Sequence, residues 1–446
     1  MSAPVEDRQL NKIASQEEKL NEDITSLYTL KAELSDYMVR RESVEYHEVY
    51  PGAERVEYDF TVERQNIYAT NFLESTSHLV KGCLGAGIMS IHEGYMHGGL
   101  WASLGATAFI GFLVPYTMYM LVASAQKLYV RLRIPRLSYP DLVEAAVATG
   151  PLKFCRRFSK AFRYSIDVCL FIELCGTCCI YHIVIAQTLK QIMEAVSPTM
   201  KNMNLTIRIY ILIVLVPLFF LCMIRNLKYL APFSLLADLF VAICVLTTMY
   251  YSISQAGNIA DRPAFKSLHG LIQFVGVLLY SIDGVGITLP VENNMKKPLQ
   301  FPIVLQIGWS IVILSVTLTG FFGYLGWGET CKSPITIHMP LGTVTITLQF
   351  LMCAVLTVTF AVNFWVPFRI VWHYIGRKHK RKRDIWERFY RGVHVILVTG
   401  LAVAYPNLIR IMVFLGNFFL AFIAFIFPAF VESLVFWSEP RKRRFR

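Results

Sequence analysis

Between Thr76 and Trp437 the chain alternates ten long apolar stretches with shorter polar ones. Runs such as Ile207–Ile224, Ala231–Met249 and Ile303–Phe322 approach the roughly 20 residues that an α-helix needs to cross a bilayer core. The pattern predicts membrane-spanning helices over 76–97, 99–123, 165–189, 207–224, 230–253, 270–290, 303–327, 344–373, 389–405 and 408–437. The first and the sixth are each interrupted near the middle by a Gly-x-Gly, Gly85-Ala86-Gly87 and Gly284-Val285-Gly286. A break at membrane depth exposes backbone N–H and C=O groups that lipid cannot satisfy, so it survives only where it lines a cavity or is buried in protein. Paired breaks at matching positions in two halves point to a secondary transporter with its ligand at the midplane. The alternative is a pair of glycine-mediated helix contacts.

Composition narrows the class. Of 446 residues 55% are hydrophobic and 17% charged, too apolar a balance for a soluble enzyme. The segment before the first span is long, polar and acidic, unlike a cleavable signal peptide. Residues 1–70 hold 8 Lys/Arg against 15 Asp/Glu and read as an acidic cytosolic tail, disordered or partly helical through Leu20, Ile24, Leu27, Leu34 and Met38. The transmembrane domain is expected over 71–437, with one repeat at about 71–255 and a second at about 270–437, followed by a basic tail at 438–446. With the N-terminus inside, the inner segments carry 26 Lys/Arg and the outer segments 7. That asymmetry places both termini in the cytosol and draws the basic loops to an anionic inner leaflet. The basic run Arg377–Arg383 sits between two spans, which argues against nucleic acid as a partner.

Helix ends suggest the site chemistry. A half-helix beginning near Gly87 aims free N–H groups and a positive dipole end at the midplane, suited to a carboxylate. The half-helix ending near Ile282 aims carbonyls at the same place, suited to an ammonium or a cation. Substrate contact is therefore expected at Gly85, Ala86, Gly87, Asp283, Gly284 and Gly286. Ionisable residues within spans cost about 2.5–3.5 kcal/mol each on insertion scales, so each needs a reason. Asp283 is either the ammonium contact and proton carrier or a cap on the broken helix; Glu173 is a proton carrier or a structural hydrogen-bond partner. His92 and His182 read as packing or pore lining, and Asp238 as a partner for Lys81 or Arg225. Cys175-Gly-Thr-Cys178 has CxxC spacing but no second pair, so it reads as helix packing and no metal is expected. Asn204-Leu205-Thr206 is a glycosylation sequon in a predicted outer loop. No HExxH, GxSxG or P-loop occurs in a context that would support an enzyme.

His78-Leu-Val-Lys81-Gly82-Cys-Leu-Gly85-Ala-Gly87 resembles the first-span signature of the proton-coupled amino-acid transporters, in the amino-acid/auxin permease group. Gly176-Thr-Cys178 with Tyr181 and Lys190-Gln191 is similar to the third span, and Arg225-Asn-Leu-Lys228 to the connection after the fourth. Asp283-Gly-Val-Gly286 with Leu289-Pro-Val-Glu292-Asn293 resembles the sixth, and Gly323-Tyr-Leu-Gly326 and Val366-Pro367 the seventh and eighth. The likeness covers about 70–437 in collinear order. It implies an all-α polytopic membrane protein with a LeuT-like five-plus-five inverted repeat, its first and sixth helices broken. It also implies proton-coupled symport of small neutral amino acids, without a cofactor, at a plasma or endolysosomal membrane, with sodium as the alternative coupling ion. His78 matches a position tied to proton coupling in that family. The chain departs from the pattern where it carries Cys83 for Asn, Ala86 for Thr or Ser, His92 for Pro, Glu173 for Gln, Asp238 for Asn and Asp283 for Glu, and where it has no eleventh span. Those departures keep open an amino-acid-sensing receptor with little flux, and a transport-inactive or truncated paralogue. Apart from substrate and lipid, the sequence names no partner.

Overall fold

The computed structural model describes residues 58–64, 69–224, 231–339, 342–379 and 382–437, without the side chains of 231–241, 244, 344 and 377. The apolar spacing in the acidic tail, the Arg225–Lys228 connection, the contacts of Asp238 and the 438–446 tail lie outside the described residues.

The regular structure of the described residues is all helix, apart from an isolated parallel bridge between Thr70 and Met295. The first half runs α1 (Phe72–Cys83), α2 (Ile91–Gly98), α3 (Leu100–Leu132), α4 (Tyr139–Thr149), α5 (Ser159–Val196), α6 (Ile207–Cys222) and α7 (Ala231–Ser254). The second runs α8 (Leu268–Ser281), α9 (Val285–Asn294), α10 (Phe301–Trp327), α11 (Thr343–Ile375), α12 (Arg383–Ala404) and α13 (Leu408–Val435). Starts follow local chemistry. Glu74 accepts the Asn71 N–H at 2.7 Å before α1, Ser267 accepts Gly270 N–H at 3.0 Å in α8, and Asn407 accepts Arg410 N–H at 3.1 Å in α13. Several helices continue beyond the apolar stretches that identify them, α3 to Leu132 and α5 to Val196, because their polar ends are good helix formers that need no lipid. Helix α4 has no hydropathy signature as a span; it is capped by Ser138 and buried over most of its length.

The halves pack as equivalents. Helix α5 lies on α11, α6 on α12 and α3 on α10, each pair joining matching positions of the two repeats. The contacts α7–α10 and α13–α3 exchange with each other when the halves are swapped, as do those of α10 with α1 and α2 and those of α3 with α8 and α9. That reciprocity is the five-plus-five inverted repeat. The bundle has a proximal end, where residues 58–64 and α4 sit, and a distal end, closed by the Gly328–Met339 loop.

Candidate functional site

Both glycine segments interrupt their helices, in different ways. Helix α1 stops at Cys83, Leu84 and Gly85 are extended, a 3-10 turn covers Ala86–Met89, and α-helix resumes only at Ile91. The second half therefore opens as a tighter turn from Ala86, and its first N–H groups have no acceptor within that turn. Helix α8 stops at Ser281 and α9 begins at Val285, leaving Ile282, Asp283 and Gly284 between them.

A cavity of about 200 Å³ lies between the breaks. Gly85, Ala86, Asp283, Gly284 and Gly286 line it with Lys81, while α5 contributes Glu173, Thr177 and Tyr181, and α11 contributes Thr359 and Asn363. Towards the proximal end the wall continues as Leu170, Ile287, Val366 and Ile370. Two of the expected site residues lie outside that lining, Gly87 and His78. A Cβ on Gly87 would sit 2.5 Å from Ser281 Cα, so this glycine is where the 3-10 turn leading into α2 touches α8. Gly284 is likewise a packing residue, filled against Cys83 Sγ. Gly85 has open space where a side chain would be and Gly286 has only Leu170 at 3.9 Å, so the room for a ligand is at these two.

Thr177 donates to Glu173 Oε1 at 2.8 Å, and both sit on the cavity wall one helical turn apart. Tyr181, Tyr280 and Asn363 are lining residues that hydropathy could not single out, although Tyr181 belongs to the third-span resemblance. Helix α13 passes the cavity as two π-helical segments, Leu415–Leu420 and Phe422–Ile426, presenting Leu420 and Ile423. Tyr139 of α4 donates to the Ile423 carbonyl there at 2.7 Å. The histidines set aside as packing residues are occupied: His182 Nε2 meets the Ile211 carbonyl at 2.9 Å, and His92 Nε2 the Lys332 carbonyl at 3.1 Å. Cys175 has a histidine neighbour that spacing could not show, with His394 Nε2 3.3 Å from its Sγ.

The proximal mouth is strapped. Arg64 bridges Glu292 of α9 at 3.1 Å, with side chains only 3% and 0% exposed. Its Nε donates to the Pro135 carbonyl at 2.8 Å, and its guanidinium lies over the Phe60 and Tyr129 rings. The Tyr129 hydroxyl, at 3.4 Å, and Gln126, at 3.0 Å, also donate to Glu292, and Thr70 pairs with the backbone of Asn294 and Lys296.

Residues 69–445 match the family model described as transmembrane amino acid transporter protein. The chain belongs to that family. The transporter is 32% identical over 387 residues to the proton-coupled amino acid transporter-like protein pathetic of Drosophila melanogaster, covering 86% of this chain and 81% of the relative. It is 25% identical over 372 residues to the probable amino acid transporter skat-1 of Caenorhabditis elegans, covering 81% and 80%. A solved manganese transporter of Eremococcus coleocola aligns at 11% identity and a TM-score of 0.44, over 88% of this chain and 82% of that one. Family membership makes this an integral membrane transporter for amino acids rather than an enzyme.

Proposed function

We propose that the transporter moves small neutral amino acids by proton-coupled symport and alternating access, with its proximal end in the cytosol. The observation that carries the reading is the small cavity between two broken helices, with glycine-sided room at Gly85 and Gly286 and carboxylates at Glu173 and Asp283. N–H groups at Ala86 suit the substrate carboxylate, and the carbonyl end of α8 with Asp283 suits its ammonium. The apolar proximal wall, Leu170, Ile287, Val366 and Ile370, suits a short uncharged side chain. Lys81 adds a positive charge to the same lining as the two carboxylates. Protons, the coupling ion in the Drosophila relative's printed name, need no further ligand shell. The contact of Gly87 with Ser281 at the distal side and the Arg64–Glu292 strap over the proximal mouth are compatible with a closed step of alternating access.

Radiolabelled uptake into proteoliposomes tests this. An inward proton gradient should drive accumulation of alanine or glycine without sodium. Flux that follows sodium and ignores the pH gradient would refute proton coupling, and binding without flux would favour an amino-acid sensor.

A further inference from the structure

The distal end is closed by the Gly328–Met339 loop, and two histidines hold the backbone of one of its residues, Lys332, on either side of its Cα. The Lys332 N–H donates to His338 Nε2 at 2.9 Å, while the Lys332 carbonyl lies 3.1 Å from His92 Nε2. A backbone N–H can only donate, so His338 Nε2 must carry a lone pair. A carbonyl can only accept, so His92 Nε2 must carry the proton, and its buried Nδ1 has no hydrogen-bond partner among the described residues. The closed loop is thus built on two neutral imidazoles, whose rings stand 5.6 Å apart. Gly323 leaves the space in which His92 packs, and Trp327 stacks on His338 at 4.7 Å. Two neutral amides also hold the loop: Gln191 donates to the Ile337 carbonyl and Gln349 to the Thr336 carbonyl.

We propose that His92 and His338 form a proton-binding site separate from the central cavity, whose protonation releases this loop and unlocks the distal end. A proton on His338 Nε2 replaces an acceptor with a donor opposite the Lys332 N–H, and two imidazolium rings at that separation repel. Burial first, and with it the Lys332 charge, hold His338 below the usual histidine value. The sign follows: neutral rings are favoured closed, so closure is complete above the pKa of the released rings and is lost as pH falls through it. The other charged groups at the loop are Glu93, whose carboxylate accepts the Ser333 N–H at 2.6 Å, and Lys332 itself. Glu329, also in the loop, pairs with Lys266, and Arg262 lies against Gly328. Glu93 acts in the same direction, since protonating it also weakens its hold on the loop.

This inference rests on the transporter reading for its consequence, distal opening, but the test reads the loop alone. Cys331 lies in the loop, 3% exposed, with burial pushing its thiol up to about 12. Cys155, partly exposed at the other end of the protein, is an internal reference for the thiolate chemistry. The protein in nanodiscs is treated with N-ethylmaleimide and both sites are quantified by peptide mass spectrometry. Between about pH 7.5 and about pH 5.5, either side of a free imidazole, the Cys331-to-Cys155 ratio should rise roughly tenfold if one ring titrates and roughly hundredfold if both do. His338→Gln keeps an acceptor for Lys332 without a titrating ring and should flatten the response. A wild-type ratio that stays constant overturns the proposal. So does a His338→Gln, His92→Gln double variant that opens as the wild type does, and a flat response in Glu93→Gln would then assign the opening to that carboxylate. Loop release without any amino-acid flux would sink the transport reading and leave this site standing.

Discussion

Gly85 and Gly87 are two residues apart and serve opposite ends of the same break. Nothing lies within 4 Å of a Cβ built on Gly85, and its φ of −94° is one that any residue adopts. Gly85→Ala should therefore fold with an unchanged melting temperature while lowering uptake, because the methyl enters the ligand space. At Gly87 the methyl meets the Ser281 backbone, so Gly87→Ala should lower thermal stability, by the 1–3 kcal/mol or so typical of overpacking. Equal melting temperatures for the two variants would remove that distinction. Sequence placed both glycines at the break but could not separate them, because the α8 residue that fills the space beside Gly87 lies far away in the chain. Asp283 and Glu173 face the same cavity, and their roles separate by substitution. Asp283→Asn, fixed in a proton-loaded form, should retain substrate exchange and lose its acid stimulation. Glu173→Gln should keep that stimulation. The reverse outcome would assign the proton to Glu173, whose bond from Thr177 would then be part of coupling.

The break-and-cavity pattern was legible because it is local: apolar length marks each helix, and the glycines mark the interruptions. What closes the cavity was not. The proximal strap depends on Arg64 and Glu292, 228 residues apart, and neither has a neighbour in sequence that hints at the other. The 3-10 turn after Gly85 and the π segments of α13 escaped for a related reason, since tertiary contacts such as that of Tyr139 with Ile423 set them. The strap makes a specific prediction. Arg64→Ala leaves Glu292 buried and uncompensated, which should cost about 3–5 kcal/mol of the strapped arrangement and favour a proximally open carrier. Accelerated labelling of a cysteine placed at Ile370, on the proximal wall, would register it. Arg64→Ala with Glu292→Gln should recover much of the loss, because a neutral amide tolerates the site. If the single variant labels no faster than the wild type, the strap holds nothing closed.

The whole molecule is a bundle with a salt-bridged strap at one end and a histidine-held loop at the other, and its mechanism depends on which solution each end faces. In the proposed topology, which the Lys/Arg asymmetry favours, the strap faces the cytosol, and the histidines would meet the extracellular or lumenal side, where acid can reach them. Asn204 offers a direct reading of that orientation. It is exposed, caps the short helix Pro198–Met203 with a φ of 42°, and lies in the connection between α5 and α6 at the distal end. Asparagine tolerates that left-handed conformation well, so replacing it would add strain to the loss of the sequon. Thr206→Ala is the cleaner probe, because Thr206 precedes α6 and makes no side-chain cap bond there. If the distal end faces the lumen of the secretory pathway, the wild type should carry N-glycan, run faster after glycosidase treatment and then match untreated Thr206→Ala. An epitope at the C-terminus should be reachable only after the membrane is permeabilised. A C-terminal epitope open to antibody on intact cells, with no glycosidase shift, would invert the topology, and acid would then act on the histidine-held loop from the cytosol.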